Sequence, residues 1–188
     1  MEPLSIAVLG LSLCLCAACV LMFRQRKRIR QLEEQSARYH HLHRMAYTDF
    51  LTGLSNRAAY GEALCHLSPE DGPMCCVILD VDHLKRINDQ SGHRAGDLAL
   101  RQVADTLRKA FPEEEHTLFR IGGDEFALAL RLTPAETQSR IAAFQAHLRE
   151  DCDDLSVSVG HTVLGEPGAE TAQAAFDLAD QRMYQNKK

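Results

Sequence analysis

Two short apolar runs separated by a pair of glycines constrain this chain more than any other stretch. Thr117-Leu118-Phe119-Arg120-Ile121 and Phe126 to Leu130 each read as a strand, and Gly122-Gly123 between them would supply the positive-φ positions of a tight hairpin turn. That turn also carries two adjacent carboxylates, Asp124 and Glu125. Like charges side by side at a hairpin tip repel, so the arrangement points to something positive held there. Mg²⁺ suits the pair, because it takes oxygen ligands and is usually shared between one or two carboxylates and the phosphates of a substrate. Taken by itself, the stretch also reads as a solvated turn with two surface acids.

A third acid strengthens the first reading. Met74 to Leu79 is apolar throughout and ends in Asp80-Val81-Asp82, the pattern of a central strand that delivers carboxylates at its C-terminal end. His83 to Asp89 adds about one helical turn, whose free backbone N–H groups would face the space beyond Asp80. Ser91 to Asp97 is a Gly-punctuated turn, and Leu98 to Ala110 an amphipathic helix that stops before Pro112. Past the hairpin, Pro134 opens a helix over 135–149, Leu155 to Val163 alternates as a strand, and 172–187 closes as a helix. Upstream, Gly53 ends one element, and Ser55 or Asn56 caps a helix that starts near Arg57. From residue 73 the order is β-α-β-β-α-β plus a terminal helix. That predicts an α+β, ferredoxin-like antiparallel sheet with helices on one face, in which Asp80 converges on Asp124 and Glu125.

The N-terminus is different in kind. Leu4 to Phe23 holds no charge and is long enough to cross a bilayer, while Arg24, Arg26, Lys27, Arg28 and Arg30 follow at once. This predicts a transmembrane helix over 1–23, contact with the membrane through 4–23, and everything beyond on the cytoplasmic side. A cleaved signal peptide is the rival, without a positive n-region in Met1-Glu2-Pro3. Arg24 to Tyr47 lacks Gly and Pro and places Ile29, Leu32, Ser36, Tyr39, His43 and Ala46 on a weak heptad seam, a helical linker over 24–47 that could pair two chains. His40, His41 and His43 point in different directions and read as a solvated face, and His66, His147 and His161 as packing or surface residues. The folded domain then covers 48–188.

Charge and cysteines exclude other classes. The chain has a net charge of -5 although its first 46 residues are basic, so the folded part is acidic and a poor partner for nucleic acid. Its seven cysteines suit buried thiols in a reducing compartment better than a disulfide framework.

Gly122-Gly123-Asp124-Glu125-Phe126 with its neighbours resembles the GGDEF family of bacterial diguanylate cyclases. Asp49 to Arg57 is similar to the family's D-x-L-T-G-L-x-N-R run, and Asp80 to Asp89 to its D-x-D-x-F-K-x-x-N-D run. Gly92-His93 with Gly96-Asp97, Ser158-Val159-Gly160, and Ala179-Asp180 through Tyr184 match later motifs in the same order. The resemblance implies a nucleotide-cyclase palm that condenses two GTP molecules to cyclic di-GMP and pyrophosphate, a ribose 3'-OH attacking an α-phosphate. It implies that Asp80, the Val81 carbonyl and Asp124 hold Mg²⁺ or Mn²⁺, and that Glu125 binds a second metal or deprotonates the 3'-OH. The backbone N–H groups of His83 and Leu84, with Lys85 and Lys187, would hold the triphosphate, and Asn88 and Asp97 would read guanine. Each chain binds one GTP, so the resemblance implies a homodimer, here at the inner membrane of a bacterium. The chain departs from the family pattern in three places. Glu113-Glu114-Glu115-His116 stands where an R-x-x-D product-inhibition motif would fall, which predicts no feedback there. His83 and Leu84 replace apolar or aromatic residues, and no G-R-N tail follows Lys187-Lys188, which predicts weaker GTP binding. A GGDEF-like module that binds GTP or a protein without turnover is the alternative.

Overall fold

The structure, a computed structural model, describes residues 3–112, 116–151 and 155–187, with side chains from residue 21 onward except at 71 and 151. It divides into two units, 1–46 and 47–188.

The first unit is one helix, α1 (Pro3–Tyr47), unbroken between the expected span and the expected linker. The transmembrane helix expected over 1–23 is not borne out: among the described residues no helix is long and apolar enough to cross a membrane. The described side chains of α1 begin with Leu21, Met22 and Phe23 and turn basic at Arg24, and the rest of the expected span lies outside the described side chains. Ile29, Leu32 and Tyr39 of the expected seam are exposed, as are His40, His41 and His43.

The second unit is built from α2 (Arg57–Leu64), β1 (Cys75–Val81), α3 (Leu84–Ser91), α4 (His93–Ala110), β2 (Thr117–Arg120), β3 (Glu125–Leu130), α5 (Pro134–Asp151), β4 (Val157–Val163) and α6 (Ala172–Asn186). The sheet order is β2-β3-β1-β4, with every neighbouring pair antiparallel. β1 and β2 therefore run parallel with β3 between them, and β3 and β4 run parallel with β1 between them. Two split β-α-β units interleave, which sets β1 against β3 in the middle of the sheet.

The expectation that helices cover one face is corrected. All seven residues of β1 are buried, and a strand without an exposed side must be covered twice. Cys75, Val77, Leu79 and Val81 join Leu100, Val103 and Leu107 of α4 and Phe144 and Leu148 of α5. Cys76 and Ile78 face the other way, onto Phe119, Ala127 and the α6 residues Phe176, Ala179 and Met183. Tyr60 of α2 completes that second layer, edge-on to Phe119 and Phe176 with ring centroids 5.5 and 5.1 Å apart. Cys75 and Cys76 are the buried thiols expected, and burial pushes the Cys76 thiol up to about 12.

Local signals fix most boundaries. Asn56 caps α2, its side-chain oxygen accepting from the N–H groups of Ala58 and Ala59 at 2.9 and 3.1 Å. Only Gly92, at φ 82°, separates α3 from α4, so α4 starts inside the stretch expected to be a turn. Gly160 of β4 sits under α6, where an added Cβ would overlap the Ala179 carbonyl and the Met183 backbone. Gly61 in α2 has open space instead.

Gly160→Ala is expected to cost about 1–3 kcal/mol, because backbone rather than a flexible side chain must move. Gly61→Ala is expected to stabilise by roughly 0.5–1 kcal/mol. Urea unfolding of each variant, with midpoint shifts of opposite sign and an unchanged slope, checks both.

Candidate active site

Strand alternation and register bring the acids together. Asp80 follows Cys76 and Ile78 on the α6 side of β1, and its cross-strand partners are Glu125 on β3 and Ser158 on β4. Directly opposite residues of an antiparallel pair project on the same face, so Asp80 and Glu125 share that side. The Val81 N–H donates to the Asp124 carbonyl at 3.0 Å, tying the hairpin tip to the end of β1. The convergence expected from the strand order is therefore present.

The glycines of the turn serve a different purpose from the one expected. Neither Gly122 nor Gly123 has positive φ. The N–H groups of Ile121 and Gly122 both donate to the Glu125 carbonyl, at 3.0 and 3.3 Å, and the Glu125 side chain lies over the Gly122 Cα. A Cβ at Gly122 would occupy the space of the Glu125 carboxylate, so this glycine gives room rather than an unusual dihedral.

Asp80 is 7% exposed, and Lys187 Nζ lies 2.7 Å from its Oδ1. Burial raises the Asp80 pKa above the usual Asp value; the Lys187 bond works against this, and the charges of Asp124 and Asp82 reinforce it. Lys187 is in turn raised, first by its bond to Asp80 and then by the same group of acids. The lysine expected on triphosphate thus sits on the buried acid. Asp82 is directed elsewhere, accepting from Ser156 Oγ at 2.8 Å and Ser158 Oγ at 2.7 Å.

The start of α3 carries the next group. His83 takes the left-handed conformation (φ 56°, ψ 25°), unusual for a residue with a side chain, and makes no side-chain cap bond. The first N–H groups of α3 are thus left without a side-chain cap, at the helix's positive end. Leu84 is buried in the core and Lys85 is exposed. On the next turn the Asn88 amide rests against the bare Cα of Gly96, one residue before the exposed Asp97, which places the two expected guanine readers in the region where α3 packs on α4.

One part of the site escaped the sequence reading. Arg120, the last residue of β2, donates from Nη2 to the Gly123 carbonyl at 2.7 Å and from Nη1 to Asp49 Oδ1 at 3.1 Å. Asp49 also accepts from the N–H and Oγ1 of Thr52, at 2.9 and 2.6 Å. Burial acts to raise the Asp49 pKa, but the Thr52 and Arg120 contacts outweigh it and hold the carboxyl below the usual value. The entry loop therefore clamps the hairpin tip from 71 residues away in sequence. A lone arginine two residues before the glycines, with an acid in the entry motif, was the available signal.

Among the described residues no group of three or more His, Cys, Asp or Glu side chains is arranged to hold a metal ion. The donor chemistry nevertheless fits a hard cation. The donors are all oxygen, and Asp80, Asp82 and Asp124 act together on a single lysine. The stretch from Glu113 to Glu115, where feedback was predicted absent, lies outside the described residues.

A family model described as "Diguanylate cyclase, GGDEF domain" matches residues 46–188. The chain is 35% identical over 178 residues to the diguanylate cyclase DgcP of Pseudomonas aeruginosa, covering 86% of this chain and 26% of that protein. It is 33% identical over 174 residues to the diguanylate cyclase DgcP of Escherichia coli, covering 85% of this chain and 49% of that one. The chain thus spans half or less of the length of these curated relatives. Its fold is similar to that of a solved structure, the coiled coil and GGDEF domain of DgcB from Caulobacter crescentus in complex with c-di-GMP, with TM-score 0.75 and 24% identity, covering 89% of this chain and 94% of that one.

The depressed Asp49 pKa fixes a pH dependence. A group lowered in the folded state contributes stability above its unfolded pKa and loses it as pH falls through the folded value. Asp49→Asn is therefore expected to lose about 1–2 kcal/mol at pH 7. The gap to wild type should close below about pH 4, as the wild-type carboxyl protonates. Urea unfolding of both proteins at pH 7 and pH 3 checks it.

Proposed function

The chain belongs to the GGDEF diguanylate cyclase family, and from that premise we propose that it condenses two GTP molecules into cyclic di-GMP and pyrophosphate, one GTP on each of two facing chains. The observation that carries this reading is Asp80 opposing Glu125 across β1 and β3, with Asp124 tied to the end of β1 beside them.

Asp80, the Val81 carbonyl and Asp124 would hold Mg²⁺ or Mn²⁺, with Glu125 at the same ion or a second one. When bound, the cation offsets phosphate charge and favours loss of the hydroxyl proton. The remaining work falls to the chain. The His83 and Leu84 N–H groups sit at the positive end of α3 and donate to phosphate oxygens. Lys85 is free to swing toward the same oxygens, and Lys187 exchanges Asp80 for them. Guanine presents N1–H and N2–H₂ donors together; the Asp97 carboxylate accepts them, and Asn88 adds a second polar contact. Glu125 takes the proton of the attacking 3'-OH, and the opposing chain brings the α-phosphate into line. The exposed seam of Ile29, Leu32 and Tyr39 offers a means of pairing the chains and raising the local concentration of the second domain.

A second reading is GTP binding without turnover. One observation favours it: Lys187 occupies Asp80, one of the proposed metal ligands. Incubating the purified full chain with GTP and Mg²⁺ and quantifying cyclic dinucleotide and pyrophosphate separates the two. Under the cyclase reading, Asp124→Ala and Glu125→Ala each lose about 10²-fold or more in rate. GTP retained by wild type with no product sinks that reading and supports the other.

Asp80→Asn should separate function from stability. A carboxyl whose folded pKa is raised contributes stability below its unfolded pKa and loses it as pH rises through the folded value. At neutral pH the ionised Asp80 is therefore a net cost to the fold. Asp80→Asn is expected to abolish product while raising Tm by roughly 2–4 °C, measured by thermal unfolding at pH 7.

A further inference from the structure

β4 is an outer strand, and its main-chain bonds reveal which residues face β1. The Ser156 carbonyl accepts from the Asp82 N–H at 2.9 Å, and the Leu164 N–H donates to Met74 at 2.9 Å, so the even-numbered positions pair with β1. The carbonyls of Val157, Val159 and His161 consequently point to the open edge. Each accepts one side-chain N–H: Gln145 Nε2 of α5 on Val157 at 3.2 Å, Asn186 Nδ2 on Val159 at 3.3 Å, and Arg182 Nη1 on His161 at 2.9 Å.

Two of these donors stand one turn apart on α6, on the face that leads to Lys187. Arg182 also places Nη2 2.7 Å from Glu166 Oε1, in the connection between β4 and α6. Between the two anchored carbonyls lies Gly160, whose missing Cβ lets the α6 backbone close on β4. Lys187 is the first residue past the helix, in extended conformation.

Lys187 could not hold this end of α6 alone. Its side chain is 40% exposed against 9% for Asp80, so water screens the lysine end of the pair and weakens its hold. Helix ends fray unless their last turn is tied down. The edge also borders a cleft of about 630 Å³ lined in part by Val159, His161 and Asn186, so water competes for the same carbonyls. An anchor made of a guanidinium and an amide on two successive edge carbonyls resists that competition better than either donor alone.

We propose that Arg182 and Asn186 are positioning residues. By bonding the open-edge carbonyls of β4 they fix the last turn of α6, and this holds Lys187 over the acids at the end of β1. The consequence for triphosphate binding rests on the cyclase reading; the placement of Lys187 does not.

The test uses the full chain. An amine-acylating reagent at pH 8, with the rate read residue by residue by mass spectrometry and normalised to exposed Lys85, reports how firmly Lys187 is held. The Arg182→Ala/Asn186→Ala double variant is expected to label about two- to fivefold faster at Lys187, the range by which an exposed ion pair shifts an equilibrium. Asp80→Asn should label at the same raised rate, and Arg182→Lys should stay near wild type. In steady-state assays the KM for GTP should rise by a similar factor with kcat within about twofold. An unchanged Lys187 rate in the double variant overturns the proposal, as does a rise shared equally by Lys109, which would report loosening of the whole domain. Labelling needs no nucleotide, so a protected Lys187 in a chain that makes no product sinks the cyclase reading alone.

Discussion

A carboxylate placed on a strand that is buried on both faces sets the terms for the rest of this domain. β1 offers no exposed position along its seven residues, yet its sixth is Asp80. Removing that charge from water is unfavourable, and the nearby Asp82 and Asp124 make it more so. The fold meets the demand with one lysine from the far end of the chain, 107 residues away. For Lys187 to arrive, α6 must lie close along β4, which in turn requires a glycine at 160 and a row of small residues, Ala175 and Ala179, in the second core layer. Charge at one atom thus dictates packing over a whole helix.

The acids of the hairpin are managed by a separate device. A two-glycine turn bearing Asp124 and Glu125 would be loose if only strand pairing held it, since β2 has just four residues. Arg120 ties its tip to the entry loop, and that loop is itself bonded to β2, with Ser55 donating to Leu118 and accepting from Arg120 at 3.2 and 2.8 Å. The side chains of Arg120 and Asp49 are 13% and 23% exposed, so this pair acts in a less screened setting than Lys187–Asp80. The hairpin tip is thus held firmly, and the cyclase reading would have the less firmly held Lys187 change partners.

Much of this was legible in the sequence because it depends on period. The unbroken apolar run of β1, the paired strands about Gly122-Gly123 and the alternation of 155–163 identified the sheet, and chain order placed Asp80 beside Glu125. What depends on three dimensions was not legible. The same apolar run implied cover on both faces, yet β-α-β-β-α-β order alone suggested one. Gly122 was read through its backbone freedom, whereas its use is the room it leaves for Glu125. The Asp49–Arg120 pair bridges 71 residues, and any of several acids would have matched that arginine on sequence grounds. Anchors on β4 left no trace at all, because main-chain carbonyls are identical at every position and only register decides which face outward.

The weak hold on Lys187 bears on how a site of this kind is kept both folded and receptive. With the lysine on Asp80, one positive charge faces the acids of Asp80, Asp82 and Asp124, enough to let the carboxylate be buried but not to neutralise the group. Under the proposed cyclase reading, a divalent ion with a triphosphate would bring positive charge to the acids and negative charge to the lysine in one event, so each side of the old pair would gain a better partner. Solvent screens the lysine end of this pair, 40% exposed, so exchanging it would be a small barrier against such a gain. Binding the nucleotide or the cation alone would leave either the acids or the lysine facing like charge. On the cyclase reading the two ligands would thus be coupled through Lys187, which would leave Asp80 only when both arrive.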